Sequence, residues 1–215
     1  VELLWVCLDL GGVLHDDRAT RGAMVGVVAE LVGVSYAEAA EARASRKSIL
    51  ETLEFYASDE GEFLRLREGF ERRVQDVPAA FGPPPYDDVP GALERLSRRY
   101  SLALASNTPG TARPWLERYG LTGFFKHFYL SNEVGFRKPQ AEFFRSMIGS
   151  TGAEPGAMLM VGDRTDTDLA PALDAGMGAA LVRRYDRPLP GYEEIRAKLF
   201  AEVESLAELA DRLGC

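Results

Sequence analysis

The chain has 215 residues, 46% of them hydrophobic and 27% charged, which suits one medium domain or a core carrying a smaller insertion. Its formal net charge of -8 argues against a nucleic-acid groove and against an anionic membrane surface as partners. No apolar run approaches the roughly 18 residues of a membrane span, and the first run, with no basic residue before it and Asp9 at its end, does not read as a signal peptide.

Leu3 to Leu8 form an uninterrupted apolar run, the pattern of a strand buried on both faces. Asp9 closes it, and Gly11-Gly12 allow a tight turn before Val13 and Leu14. Cys7 falls inside this strand and Cys215 is the last residue. They suggest no disulfide framework or metal cluster, and a reducing cytoplasm suits them.

From Arg18 to about Val77 the pattern becomes helical. Met24, Val27, Val28, Leu31 and Val32 recur at helical spacing until Gly33. Ser35 with Glu38 three residues on forms a capping box for the next helix. Ile49, Leu50, Leu53 and Phe55 mark a third helix. Phe63, Leu64, Leu66, Phe70 and Val74 mark a fourth, which breaks at Pro78. Pro83-Pro84-Pro85 then reads as a stiff connection.

Alternation of strands and helices resumes at Val89. Pro90-Gly91 precede a short helix through Leu93 and Leu96, and Ser101 to Ala105 form a second strand ending at Ser106-Asn107. A helix spans Arg113 to Tyr119, with Pro114 at its first position. A strand at Phe125 to Leu130 leads to a loop from Ser131 to Pro139, then a helix carries Phe143, Phe144, Met147 and Ile148. Met158 to Val161 form a strand ending at Gly162-Asp163, Leu169 to Ala175 a helix, and Gly178 to Val182 a strand. Phe200 to Glu204 suggest an edge strand, and Leu206 to Leu213 a closing helix. The alternation predicts an α/β fold with a doubly wound parallel sheet, Rossmann-like, carrying a small all-helical domain. The expected boundaries are 1–15 and 88–215 for the core and 16–87 for the helical block.

Four strand-end or loop motifs then stand in order: Asp9-Leu10-Gly11-Gly12-Val13, Ser106-Asn107, Lys138-Pro139, and Gly162-Asp163 followed by Asp168. Lysine is scarce, found only at Lys47, Lys126, Lys138 and Lys198, so each one is informative. In open α/β sheets ligands bind beyond the carboxyl ends of the strands. Carboxylates gathered there suit Mg²⁺, while a hydroxyl, a lysine and backbone N–H groups suit phosphate oxygens. Taken singly, Ser106 could cap a turn, Lys138 could be a surface lysine, and Asp166 reads as a solvated helix-start residue.

This set resembles the haloacid dehalogenase superfamily, whose members are mostly phosphatases. The resemblance covers Val1 to Leu14 and Val89 to about Leu213. It is most specific in S-N-E-V-G-F-R-K-P from Ser131 and in M-L-M-V-G-D-R-T-D-T-D-L-A-P-A-L-D-A-G-M from Met158. It implies that the helical block is a cap inserted after the first motif. It further implies that Asp9 is the nucleophile, forming an aspartyl-phosphate, and that Ser106, with Asn107 beside it, binds phosphoryl oxygens. Lys138 would neutralise charge on nucleophile and phosphate. Asp9, the backbone carbonyl of Gly11, and Asp163 would hold Mg²⁺, with Asp168 supporting the site.

One position departs from the family pattern. Its phosphatases usually carry a second Asp two residues after the nucleophile, to protonate the leaving group and activate water, and here that residue is Gly11. His15, Asp16 and Asp17, just beyond the turn, are the alternatives for this work. The expected function is a Mg²⁺-dependent phosphatase of a small phosphorylated metabolite, as a cytoplasmic monomer or homodimer without nucleic-acid or membrane partners. The alternatives are a phosphate- or partner-binding regulatory module, carbon–phosphorus cleavage through a Schiff base on Lys47, and metal-free dehalogenation, against which Gly162-Asp163 argues.

Overall fold

The computed structural model describes residues 2–46, 49–74, 76–77, 82–108 and 110–215. Lys47 and Pro78 lie outside them. The chain forms two compact units, Val1–Asp16 with Pro84–Cys215, and Asp17–Pro83.

Strand β1 (Trp5–Leu8) opens the chain, starting two residues inside the apolar run; Leu4 before it is half exposed. The helical unit follows. Helix α1 (Arg18–Val32) stops at Gly33, whose φ of 73° lets its N–H turn back to the Ala29 carbonyl. Helix α2 (Tyr36–Ala44) starts with the predicted capping box: the Ser35 hydroxyl accepts from the Glu38 N–H, and the Glu38 carboxylate accepts from the Ser35 N–H. Helices α3 (Ile49–Tyr56) and α4 (Glu60–Val74) complete it. Val25 and Val28 of α1, Ala39 of α2, Leu53 of α3, and Phe70 and Val74 of α4 form its core. Phe55 is 58% exposed, because two residues of helix rotate it away from the buried Leu53; the Arg46 guanidinium lies over its ring instead.

The second part of the α/β unit runs through α5 (Val89–Ser97), β2 (Ser101–Ser106), α6 (Ala112–Arg118), β3 (Phe125–Leu130), α7 (Ser131–Val134), α8 (Ala141–Thr151) and β4 (Met158–Gly162). After β4 come a π-helical turn (Thr165–Leu169), α9 (Ala170–Asp174), β5 (Gly178–Val182), α10 (Tyr192–Ile195), β6 (Ala201–Val203) and α11 (Leu206–Arg212). Three local expectations change. Pro90 sits within the first turn of α5 rather than before it, and Pro114 is the third residue of α6 rather than the first. Both are tolerated because first-turn N–H groups have no intrahelical acceptor. The expected loop at Ser131 begins with one helical turn, α7, too short to show periodicity, which Gly135 ends with φ 77°.

The six strands are parallel, in the order β3-β2-β1-β4-β5-β6. Period-two alternation separates the two faces. Val6, Leu8, Leu102, Leu104, Leu159 and Val161 pack against α5, α6 and α11 through Leu93, Leu96, Trp115, Leu116, Leu206 and Leu209. Cys7, Ala103, Ala105, Met158 and Met160 form the other face, filled by Phe143, Phe144 and Met147 of α8. Burial pushes the Cys7 thiol up to about 12, so it stays protonated and acts as a small apolar side chain. The chain leaves β1 toward β2 on one side and reaches β4 on the other, so the switch point of this sheet lies between β1 and β4.

Candidate active site

Leu8 pairs with Leu104 on one side and with Val161 on the other. That register sets Asp9 and Asp163 just beyond the carboxyl ends of β1 and β4, on either side of the switch point, with Ser106 as the last residue of the neighbouring β2. Ser106 and Asp163 are buried. One carboxylate oxygen from each of Asp9, Asp163 and Asp168 lies within 4.8 Å of the others.

Two glycines make this approach possible. Gly12 has φ 77°, and a Cβ there would sit 2.2 Å from the Asp163 Oδ2. A Cβ on Gly162 would sit 2.5 Å from the Asp168 Cβ. Main-chain bonds from the Gly12 N–H to the His15 carbonyl and from the Leu14 N–H to the Leu10 carbonyl, both 2.8 Å, hold the turn after Asp9. They use carbonyls other than that of Gly11. Gly11 itself is not among the glycines with left-handed φ.

Lys138 enters from the loop after α7. Its Nζ lies 3.0 Å from the Asp9 Oδ1 and 2.7 Å from the Asp168 Oδ1, with the lysine side chain 2% exposed and that of Asp168 1%. Burial alone would lower the lysine's pKa, but the attraction of Asp168 and Asp9 outweighs it and holds the value above the ordinary one. Burial pushes the Asp168 carboxyl up to about 6; the Asp9 charge adds to this and the Lys138 charge opposes it. Asp168 Oδ2 also accepts from the Arg164 N–H at 3.2 Å.

The Asn107 side chain is engaged with the main chain of Lys138. Its Nδ2 donates to the Lys138 carbonyl at 2.8 Å, and its Oδ1 accepts from the Lys138 N–H at 2.9 Å. Both ends of its amide therefore hold the backbone that carries the lysine, joining the loop after β2 to the loop after α7. Ser131 reinforces the join: its hydroxyl accepts from the Thr108 N–H and donates to the Thr108 carbonyl.

The acidic loop after β4 brings differences from the sequence reading. Asp166 stands in the first turn of the π-helical segment, as expected, but is half-buried rather than solvated and takes a two-point contact from the Arg164 Nε and Nη2. Asp163 is paired with Arg187, which sequence reading passed over. Arg187 stands in the segment between β5 and α10, where R-R-Y-D-R-P-L-P-G carries no motif or periodicity. His15 is buried with its ring against Trp115, 4.9 Å between centroids.

Chemically, the cluster offers a partly exposed carboxylate (Asp9), a buried ammonium bridging two carboxylates, and a buried hydroxyl on the adjoining strand. The donors are hard oxygens with no thiolate or imidazole among them, and Gly12 and Gly162 leave space where side chains would crowd them, so Mg²⁺ fits.

The haloacid dehalogenase-like hydrolase family model matches residues 5–176, from the first residue of β1 to just past α9. A glyceraldehyde 3-phosphate phosphatase of Methanothermobacter thermautotrophicus is 38% identical over 42% of this chain and 40% of its own length. A phosphoserine phosphatase of Thermus thermophilus is 34% identical over 74% of this chain and 69% of its own length. The chain spans less than half the length of that glyceraldehyde 3-phosphate phosphatase and of a second one that it matches. The solved structure of a predicted phosphatase from Clostridium acetobutylicum superimposes with a TM-score of 0.80 at 20% identity, over 99% of each chain, and shares the fold. The match takes in both acidic strand ends and the lysine between them, and the chain belongs to the haloacid dehalogenase-like hydrolase family.

Proposed function

We propose that this chain is a Mg²⁺-dependent phosphatase of a small phosphorylated metabolite, acting through a phosphorylated Asp9. The observation that carries this reading is the buried Lys138 ammonium, 3.0 Å from Asp9 and 2.7 Å from Asp168 at the carboxyl end of the sheet. A lysine held there lowers the repulsion between an attacking carboxylate and an anionic phosphate. An Asp9 oxygen attacks phosphorus, the bond to the substrate oxygen breaks, and the alcohol departs with a proton from water. Water then attacks the phosphorus, releasing inorganic phosphate and restoring Asp9. Ser106 donates its hydroxyl to a phosphoryl oxygen, and Asn107 holds Lys138 in register. Asp9, the Gly11 carbonyl, Asp163 and Asp168 are the groups that would hold Mg²⁺, which supplies charge neutralisation to the phosphate.

The names of the two curated relatives, a glyceraldehyde 3-phosphate phosphatase and a phosphoserine phosphatase, support a small phosphate monoester as substrate. The helical unit Asp17–Pro83 acts in this reading as the cap that selects it. The test is phosphate release from a panel of phosphorylated metabolites, with Mg²⁺ and with chelator, by wild type and Asp9→Asn. Release that needs Mg²⁺ and is lost in a folded Asp9→Asn protein is expected. Equal release by the two proteins would exclude the mechanism.

A further inference from the structure

Each carboxylate of the cluster already has a cationic side chain. Lys138 serves Asp9 and Asp168, and Arg187 serves Asp163, its Nη1 on the Asp163 Oδ2. The Arg187–Asp163 pair is largely shielded, the two side chains being 15% and 5% exposed, so water screens it weakly. The oxygen that Arg187 meets is also the one packed against the Gly12 backbone, at the turn that follows Asp9.

Arg187 reaches this position because its segment is tied down on either side. Arg184 donates to the Val13 carbonyl at 3.2 Å and makes a two-point contact with Asp88. The Pro190 carbonyl accepts from the Thr165 hydroxyl, inside the π-helical turn that carries Asp168. The segment between β5 and α10 thus spans from the turn after Asp9 to the acidic loop after β4, with Arg187 between its two ties.

We propose that Arg187 stands in for the divalent cation beside Asp163 in the metal-free protein, and that Mg²⁺ must displace it in order to bind. The proposal rests on the reading of Asp163 as a metal ligand. A guanidinium on a liganding carboxylate competes with a cation in two ways: it occupies a donor oxygen, and its charge repels the ion. Metal-free protein is thereby kept close to charge balance at the strand ends, and Mg²⁺ binding is coupled to the position of the segment between β5 and α10.

Isothermal titration with Mg²⁺, without substrate, tests this on wild type, Arg187→Gln, Arg187→Lys and Asp163→Asn. Removing the charge in Arg187→Gln should tighten Mg²⁺ binding by about tenfold or more, and Arg187→Lys, which keeps the charge, should stay near wild type. Melting in chelator should be lower for Arg187→Gln than for wild type, and saturating Mg²⁺ should erase the difference. Unchanged or weaker binding by Arg187→Gln, or equal tightening in the Gln and Lys variants, would overturn the proposal. Asp163→Asn separates the two failures. If it abolishes binding while Arg187→Gln has no effect, the metal site stands and the role of Arg187 falls. If it binds as wild type does, the metal site itself is misassigned and the proposal falls with it.

Discussion

A Cβ on Gly162 would lie 2.5 Å from the Cβ and 2.6 Å from the Oδ2 of Asp168, six residues further along the chain. The π-helical turn folds Asp168 back over the end of β4, and the last residue of that strand must be bare to let it in. The demand at Gly162 is for space, since its φ is not left-handed; at Gly12, beside Asp163, it is for both space and conformation.

Gly162→Ala should therefore move Asp168 and the lysine contact with it. The expected loss is on the order of 1–3 kcal/mol, as for overpacking in a dense interior, with a fall in kcat/KM. Urea unfolding and phosphatase kinetics on the variant measure both. Wild-type stability together with wild-type activity would show that the acidic loop yields freely.

Lys138→Met should be more damaging. It leaves Asp168, 1% exposed, without its cation, and stranding one member of a buried pair costs about 3–5 kcal/mol. Adding Asp168→Asn to Lys138→Met should recover part of the loss, because the stranded charge is then gone. A double mutant no more stable than Lys138→Met in denaturant titrations would mean that the pair carries little of the site's stability.

The pH response of the fold should depend on Asp88. Burial would raise its pKa, but the Arg184 guanidinium and the Leu206 and Ala207 N–H groups outweigh that and hold it below the usual carboxylate value. A depressed pKa contributes stability that is complete above the unfolded value, about 3.9, and is lost as pH falls through the folded one. Asp88→Asn should thus cost about 1.5–3 kcal/mol at neutral pH, the range for hydrogen bonds to a charged group. The gap to wild type should narrow below about pH 4. A gap that does not change with pH would assign the loss to packing.

Gly11→Asp should be accommodated, because the left-handed φ belongs to Gly12. If the missing acid and base limits turnover, a folded Gly11→Asp protein should gain on alkyl phosphates, whose leaving groups need a proton, by up to about 10²–10⁴-fold. Aryl phosphates should gain little. No gain on either, with wild type insensitive to the leaving group, would show that another residue already does this work.

The strand plan was legible because the runs at Ser101–Ser106, Met158–Gly162 and Gly178–Val182 are short, largely apolar, buried and bounded by turn residues; Phe125–Leu130, with Lys126 exposed and His127 half-buried, is the weakest of the signals. The Ser35–Glu38 capping box was legible because all its partners are local. The contacts that depend on separate loops meeting were not. Nothing near Asn107 in sequence says that its amide will face the Lys138 backbone, and nothing in R-Y-D-R-P says that Arg187 will reach Asp163. The partner of Asp166 was missed for a smaller reason: Arg164 precedes the turn in extended backbone, and an ion pair two residues apart is not one that helical spacing predicts.

The insertion of Asp17–Pro83 between β1 and β2 bears on how such a chain can change. Closing the loop from Leu8 to its partner Leu104 becomes harder with every added residue, but only as the logarithm of length. The helical unit roughly trebles that loop, at a cost of about 1 kcal/mol. This is less than the roughly 1.5–3 kcal/mol that burying one leucine contributes. Chain entropy therefore sets almost no limit on what is spliced in at this point. The inserted segment is free to lengthen, shorten or be replaced while the strand ends that carry the carboxylates keep their register.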